Sequence, residues 1–178
     1  MSILNNLPVK MKLSVMLLFP ILGLLIFAGL QSKSYYNQSN SMNKLESVTI
    51  LSTKISALVH ELQKERGMTA GYLGSKGVNF KDKLPTQRES TNAKRKEFKN
   101  YLKNVDLSYY GDNFNSLLDN SLARLSKLDS MREQISSLSV SGAKAIGYYT
   151  GMNGSFIEVI RTNATFSSDT LMAKQLNS

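Results

Sequence analysis

The sequence predicts an all-α protein: an N-terminal transmembrane helix followed by an antiparallel four-helix bundle that is incomplete at its C-terminus. Three observations lead to this fold class. An uncharged apolar segment lies near the N-terminus, apolar residues beyond it recur at intervals of three and four, and only one of the three prolines lies beyond that segment. The chain has 178 residues, which is enough for a membrane anchor and one domain.

The predicted anchor is residues 13–30, LSVMLLFPILGLLIFAGL, which carry no charge. About 20 mostly apolar residues span a bilayer core as a helix, and transmembrane helices tolerate a proline such as Pro20. Lys10 and Lys12 precede the segment. Positive charge favours the cytoplasmic side, so residues 1–12 are predicted to be cytoplasmic and residues 31–178 to form a domain in the periplasm of a bacterium. A cleaved signal peptide is the alternative, but the apolar run is longer than the typical one of about 7–15 residues.

The first helix of the outer part shows one apolar stripe in alternating steps of three and four, which is typical of a bundle helix. Gly74 and Gly77 are predicted to end it. The stripe consists of Leu45, Val48, Ser52, Ile55, Val59, Leu62, Arg66, Thr69 and Leu73.

Three more helices are predicted, at about residues 86–105, 113–138 and 143–165, and residues 166–178 are expected to begin another element. The third helix can be written with either of two apolar stripes, which are given at the end of this paragraph. The fourth helix is expected to bury Ile146, Tyr149, Asn153, Phe156 or Ile157, and Ile160. The two stripes of the third helix are Phe114, Leu118, Ser121, Leu125, Leu128, Arg132, Ile135 and, as the rival, Leu117, Ser121, Arg124, Leu128, Met131, Ile135, Leu138.

Composition excludes several kinds of site. The chain has no cysteine and one histidine, so it offers neither a disulfide framework nor a thiolate or multi-histidine metal site. No catalytic motif is present, and we predict a protein that is not an enzyme and needs no cofactor. The net charge of +9 favours an anionic ligand or surface. Nucleic acid is not expected as a partner, because the chain begins with a membrane segment.

Two arginines, Arg66 and Arg132, lie on apolar stripes. A guanidinium inside a bundle is costly unless a carboxylate, carbonyl oxygens or a bound anion meets its charge. One interpretation is a structural ion pair with Glu65, Glu133 or Glu158. The other is a site for a small planar anion such as nitrate, nitrite or a carboxylate, because guanidinium groups donate two parallel hydrogen bonds. Periodicity alone favours the ion pair.

Three further residues are candidates for contact with such an anion. Gln63 lies three residues before Arg66 and could donate to an anion or face solvent. Gly67, with Gly71 one turn later, would let a neighbouring helix approach closely. Asn153, in the middle of the fourth helix, could bind a ligand or fix the helix register.

Several segments resemble known families. ELQKERGMTAGYLGSKG, residues 61–77, resembles the signature of the nitrate- and nitrite-sensing (NIT) domain family. AIGYYTGMNGSFIEVI, residues 145–160, is similar to its Tyr-Thr-x-x-Asn segment, and LDSMREQI, residues 128–135, to its arginine-bearing helix. The opening NNLPVKMKLSVMLLFPILGLL, residues 5–25, resembles the start of bacterial methyl-accepting chemotaxis proteins.

This resemblance implies a helical bundle that senses nitrate or nitrite through arginines, forms a homodimer and belongs to a signal transducer such as a chemoreceptor. Arg66 matches the arginine of the family's Glu-Arg-Gly motif, and Arg132 matches a second arginine. The family domain usually continues with another helix pair, so residues 31–178 are expected to be incomplete at the C-terminus. The alternatives are a sensor of an organic acid or amino acid, and a structural or dimerisation module without a small ligand. The predicted ligand residues are Arg66, Arg132, Gly67, Gln63 and Asn153.

Overall fold

The computed structural model describes residues 8–176; the side chains at positions 11, 12, 15, 34, 37, 38, 40, 41, 109 and 166–176 are not described. Every regular element among the described residues is helical, which confirms the predicted all-α class. The chain divides into two compact units, Met1–Lys44 and Leu45–Ser178.

The first unit contains one segment, Met16–Lys33, that is long and apolar enough among the described residues to cross a membrane. Its 18 residues are not buried by the protein, so length and composition alone support a membrane span. This segment overlaps the predicted anchor at residues 13–30. The helix continues through Pro20.

The second unit is built from five helices. Helix α1, Val9–Gly74, supplies residues to both units, and α2 is Lys83–Leu102. A short 3-10 turn, Ser108–Tyr110, precedes α3, Asp112–Leu125. Helices α4, Leu128–Ser136, and α5, Gly142–Leu176, complete the unit. The predicted last element is therefore a continuation of α5, and residues 177–178 lie outside the described residues.

The helices of the second unit are antiparallel, as their cross-helix hydrogen bonds show. Glu61 of α1 accepts a hydrogen bond from Gln87 of α2, and Ser47 of α1 accepts one from Tyr101 of α2. The residue numbers therefore rise along one helix as they fall along the other. Between α1 and α5, Glu65 contacts Tyr149 and Val48 contacts Asn163. The four-helix arrangement predicted from the periodicity is therefore present, with α3 and α4 together in the third position.

The third helix of the bundle differs from the prediction. A single helix was expected, but it is divided into α3 and α4 at Ser126 and Lys127. The Ser126 hydroxyl donates to the carbonyl of Ala123, which competes with the regular helical bonds at this turn. The stripe stays in register across the break. Its members Phe114, Leu118, Ser121, Leu125, Leu128, Arg132 and Ile135 are all buried, whereas Arg124 and Leu138 of the rival stripe are exposed.

In α5 the core position is Phe156 and not Ile157. The Phe156 ring is fully buried and meets the edge of Phe98 at a centroid distance of 5.7 Å, while Ile157 is 49% exposed. Asn153 and Tyr149 are buried as predicted. Helix α5 therefore contributes both apolar and polar side chains to the same core.

Helix α1 ends at Gly74, as predicted, and the chain reverses through Gly77. This glycine has a φ of 89°, and its N–H donates to the carbonyl of Tyr72. A left-handed residue that returns an N–H to the last turn is the usual glycine stop of a helix. The loop between α1 and α2 is shorter than the sequence predicted, because α2 begins at Lys83. Pro85 lies in the first turn of α2, where a missing N–H costs no hydrogen bond.

Candidate ligand-binding site between α1 and α5

The polar centre of the bundle is the carboxylate of Glu65, which is 0% exposed. Arg132 from α4 donates to both of its oxygens, with Nε–Oε1 and Nη2–Oε2 distances of 2.7 Å. The Tyr149 hydroxyl from α5 donates to Oε1 at 2.8 Å, and Nε of Arg88 from α2 lies 3.8 Å from the same oxygen. Four helices therefore meet at one carboxylate.

Arg132 is 6% exposed, and its remaining donors are occupied as well. Nη1 donates to Asn92 Oδ1 at 2.7 Å and to Asp129 Oδ1 at 3.3 Å. Burial by itself lowers the pKa of the guanidinium, but the hydrogen bonds and charge of Glu65 outweigh it, so the pKa of Arg132 is raised. Arg132 is therefore held as a cation in a two-pronged pair, the geometry that suits a carboxylate best.

The surroundings of Glu65 keep the nearby hydroxyls protonated. Burial, and then the charge of Glu65, raise the pKa of the Tyr149 phenol above its ordinary value. Burial also raises the pKa of Tyr148 to about 12, and its hydroxyl donates to the Arg124 carbonyl at 2.8 Å. Tyr149 is therefore a neutral donor to Glu65 and supplies no negative charge to the cluster.

Arg66, the next residue along α1, has a different environment. It is half-buried, and its Nη1 donates to the Thr150 hydroxyl of α5 at 3.2 Å. Among the described residues it forms no ion pair with a carboxylate. Glu65 and Arg66 thus contact the consecutive residues Tyr149 and Thr150, so the Glu-Arg-Gly and Tyr-Thr segments lie against each other.

Asn153 lies about one turn beyond Tyr149 on the buried side of α5, whereas Thr150 is exposed. Its side chain is 4% exposed, and neither its amide nitrogen nor its oxygen has a hydrogen-bond partner among the described residues. A buried amide without partners costs about 1–3 kcal/mol. This residue is therefore the place in the core where an additional polar partner would be most favourable.

Gln63 and Gly67 are exposed on α1. Among the described residues, a Cβ placed on Gly67 would meet no atom of another element within 4 Å, so no neighbouring helix there approaches it, contrary to the expectation of close packing. Gly71 is a glycine that allows a close approach, because the Phe80 ring would overlap an added Cβ. The group that approaches is a loop side chain and not a helix.

The structure therefore gives the two predicted arginines different partners. Arg132 is bound to Glu65, the first of the three ion-pair partners considered from the sequence, whereas Arg66 faces Thr150. The sequence pattern missed Glu65 as a core residue, although a signal was present. The fully buried residues of α1 also follow steps of three and four, and at every second step they lie one position before the predicted stripe, so that Glu65 takes the place of Arg66: Leu51, Ile55, Leu58, Leu62, Glu65 and Thr69.

No group of three or more His, Cys, Asp or Glu side chains within the described part of the chain could hold a metal ion. His60 is exposed. The buried polar groups of the bundle are instead the Glu65 carboxylate, the Arg132 guanidinium, amides and hydroxyls. Fold and site together describe an all-helical domain with a polar cluster around one buried ion pair.

The chain belongs to the nitrate- and nitrite-sensing family. The family model NIT, described as "Nitrate and nitrite sensing", matches residues 57–178, which is more than half of the chain. The match includes the three segments that resembled this family in the sequence.

Among solved structures, the chain is similar to one described as "Structure of the NasR transcription antiterminator". The TM-score is 0.69 at 18% sequence identity, and the match covers 79% of this chain and 38% of that chain. At this identity the likeness establishes the helical fold alone. No curated protein matches the chain.

Proposed function

We propose that this chain is the membrane-anchored sensor part of a signal transducer of the chemoreceptor type and that its bundle binds nitrate or nitrite. The family to which it belongs supports the ligand class. The segment Met16–Lys33 supports the anchor, and Lys10 supports an N-terminus in the cytoplasm with the bundle in the periplasm.

One observation carries the proposed site. Arg66 presents a half-buried guanidinium with no carboxylate partner among the described residues, and its Nη1 donates only to a neutral hydroxyl. An anion that replaces this hydroxyl gives the guanidinium an acceptor of opposite charge, which the neutral Thr150 oxygen does not provide. Arg66 is therefore the residue that we assign to the ligand's negative charge.

Asn153 provides the second contact in this proposal. Its unpartnered amide can donate to one oxygen of a nitrite or nitrate ion, and its burial keeps competing water away. Gly67 and Gln63 flank Arg66 on the exposed side of α1 and are assigned to the rim of the site. Direct contact between Arg132 and the anion stays a prediction from the sequence. It would require the anion to displace Glu65 from the Arg132 guanidinium.

Arg132 and Glu65 are assigned a positioning role in this proposal. Their paired contact fixes which face of α1 meets α4, and Tyr149 binds the same carboxylate from α5, so that the neighbouring Arg66 is directed toward Thr150. A ligand can shift a conformational equilibrium only by its difference in affinity between two states. Binding that moves Arg66 away from Thr150 would change the packing of α1, the helix that also contains the proposed membrane segment.

A second candidate function is a structural or dimerisation module without a small ligand. The buried Glu65–Arg132 pair favours it, because a satisfied ion pair needs no anion. A related alternative keeps the sensor and replaces nitrate with a small organic acid, whose carboxylate would use the same donors.

The test is the melting temperature of the full chain in a neutral detergent, measured with nitrate, nitrite, acetate or chloride at equal ionic strength. A site filled to 100 times its dissociation constant adds about 2.7 kcal/mol to the free energy of unfolding. We expect a rise with nitrate or nitrite that Arg66→Ala abolishes. Arg161→Ala is the control, because Arg161 is an exposed arginine of α5 that pairs only within its own helix.

Three results would each decide against part of the proposal. A rise with acetate alone would assign the site to organic acids. A nitrate-dependent rise that survives Arg66→Ala would place the ligand elsewhere. A melting temperature that is the same in all four salts would favour the structural module.

A further inference from the structure

The solvent-facing side of α2 contains a groove of about 290 Å3 that is separate from the contact between α1 and α5. Its walls are long cationic and amide side chains, and no acidic, aromatic or aliphatic residue lines it. The lining residues are Asn92, Arg95, Lys96, Lys99, Asn100 and Lys103.

The positive charge of this groove is largely uncompensated. Arg95 pairs with Asp129 from α4 at 2.9 Å, but Lys96, Lys99 and Lys103 have no carboxylate within ion-pair distance among the described residues. Arg95 and Lys99, and likewise Lys99 and Lys103, are four residues apart on one helix face, where like charges repel. An anion with several charges would relieve this repulsion.

The donor set indicates which anion would fit. Lysine ammonium groups are compact point charges that bind phosphate oxygens, and the Asn92 and Asn100 amides can each add a donor. A single-stranded nucleic acid would need aromatic platforms for its bases, which this groove does not offer. The volume is at the lower end of small-ligand pockets, roughly 300–1,000 Å3, so the ligand is compact.

The groove is also connected to the buried cluster. Asn92 accepts a hydrogen bond from Arg132 Nη1 at 2.7 Å, and Arg95 donates to Asp129, which itself accepts from Arg132. An anion that draws Arg95 or Asn92 toward the groove changes the partners of Arg132. Occupation of the groove would therefore alter the residue that holds Glu65.

We propose that the α2 groove is a second anion site, which binds a compact, multiply charged phosphate and discriminates against monovalent anions. A single negative charge can neutralise one of the four cations, whereas a diphosphate can neutralise several at once. The phosphate can come from a free diphosphate or from an acidic lipid headgroup.

The experiment is a calorimetric titration of the full chain, in neutral detergent at constant ionic strength, with inorganic pyrophosphate. We expect saturable binding that weakens at least tenfold in Lys99→Gln/Lys103→Gln. The matched control is Lys81→Gln/Lys144→Gln, which removes the same charge from two exposed lysines outside the groove. Equal weakening in both double variants would overturn the proposal, because net charge and not the groove would then bind the anion.

A separate experiment tests whether the phosphate belongs to a lipid headgroup. Cardiolipin, whose headgroup carries two phosphates, replaces pyrophosphate in the neutral micelle, and the melting temperature is compared between the groove variant and its control. A groove-dependent rise with the lipid but no binding of pyrophosphate would assign the phosphate to a lipid headgroup. No groove-dependent effect of either compound would overturn the site.

The connection to Arg132 gives a separate test that rests on the proposed nitrate binding. Pyrophosphate should change the affinity for nitrate, nitrate should change that for pyrophosphate by the same factor, and Asp129→Asn should reduce this coupling. If nitrate does not bind, the proposed function fails, and the pyrophosphate titration still decides the groove. Pyrophosphate binding without any effect on nitrate would remove the coupling and leave the second site.

Discussion

The Glu65 carboxylate and the Arg132 guanidinium form a two-pronged ion pair in the centre of the bundle, with both hydrogen bonds at 2.7 Å. The two residues are 67 positions apart in the sequence and come from α1 and α4. Because Tyr149 and Arg88 contact the same carboxylate, this pair determines how four helices meet. It also sets the direction of the neighbouring Arg66.

Breaking this pair from one side should be strongly destabilising. In Arg132→Met, Glu65 stays buried with only Tyr149 and the more distant Arg88 nearby, and we expect a loss of about 3 kcal/mol in the free energy of unfolding. Urea denaturation measures this loss. Arg161→Met, whose side chain is 74% exposed, should cost less than about 0.5 kcal/mol.

The double variant Glu65→Leu/Arg132→Met should be more stable than Arg132→Met alone, because it removes the unpaired buried charge. A double variant whose loss equals the sum of the two single losses would mean that the residues act independently. That result would contradict the paired geometry.

Gly67 and Gly71, which lie one turn apart on α1, should respond differently to alanine. Gly67→Ala adds a methyl group where no atom lies within 4 Å, so the gain in helix propensity should raise the stability by about 0.5–1 kcal/mol. Gly71→Ala should gain less, because the Phe80 ring must move away. Thermal unfolding of both variants checks the order, and a larger gain for Gly71→Ala would refute it.

Gly67→Ala also tests the rim of the proposed ligand site. If Gly67 gives the anion access to Arg66, the variant should be more stable than the parent without nitrate and should show a smaller nitrate-dependent rise. An unchanged rise would remove Gly67 from the site while leaving the stability prediction intact.

The choice of Phe156 as the core residue of α5 predicts a large contrast between neighbours. Phe156→Ala removes a fully buried ring that contacts Phe98, and we expect a loss of about 3–5 kcal/mol. Ile157→Ala changes a side chain that is 49% exposed and should cost less than about 1 kcal/mol. Chemical denaturation of the two variants measures both losses in the free energy of unfolding. Similar losses would mean that both residues face the core.

Protonation of Asp129 should lower the stability of the fold in acid. Burial opposes the ionisation of this carboxyl, but the hydrogen bonds and charge of Arg95, with the charge of Arg132, lower its pKa below the ordinary value of 3.8. A carboxyl whose pKa is lower in the folded state contributes stability above the unfolded pKa and loses it as the pH falls through the folded pKa. We therefore expect the free energy of unfolding to decline below about pH 4.

Asp129→Asn should reduce this decline, and Arg95→Gln should reduce it as well, because each removes one side of the same ion pair. The measurement is the urea midpoint between pH 2.5 and pH 6, values chosen to bracket the pKa of about 3.9 for a free aspartate. A decline of unchanged steepness in both variants would assign the acid sensitivity to other carboxyls.

Much of the fold could be predicted from the sequence because it depends on local properties. The apolar stripe of α3 and α4 was one of the two stripes that the sequence left open, and the end of α1 at Gly74 followed from glycine chemistry. The break at Ser126 was not predicted, because serine inside a helix is compatible with either a bend or a straight course. The sequence motif also indicated the family, since its residues are contiguous.

The sequence by itself determined that the chain is helical, that it carries an apolar N-terminal segment and that Arg66 and Arg132 are unusual for a bundle core. Only the tertiary structure decided which of the two is neutralised. A helical stripe is about 100° wide, so Glu65 and Arg66 both lie near its edge, and periodicity cannot choose between adjacent positions. The choice was made by Arg132, Tyr149 and Thr150 from distant parts of the chain: the first two meet Glu65, and Thr150 meets Arg66.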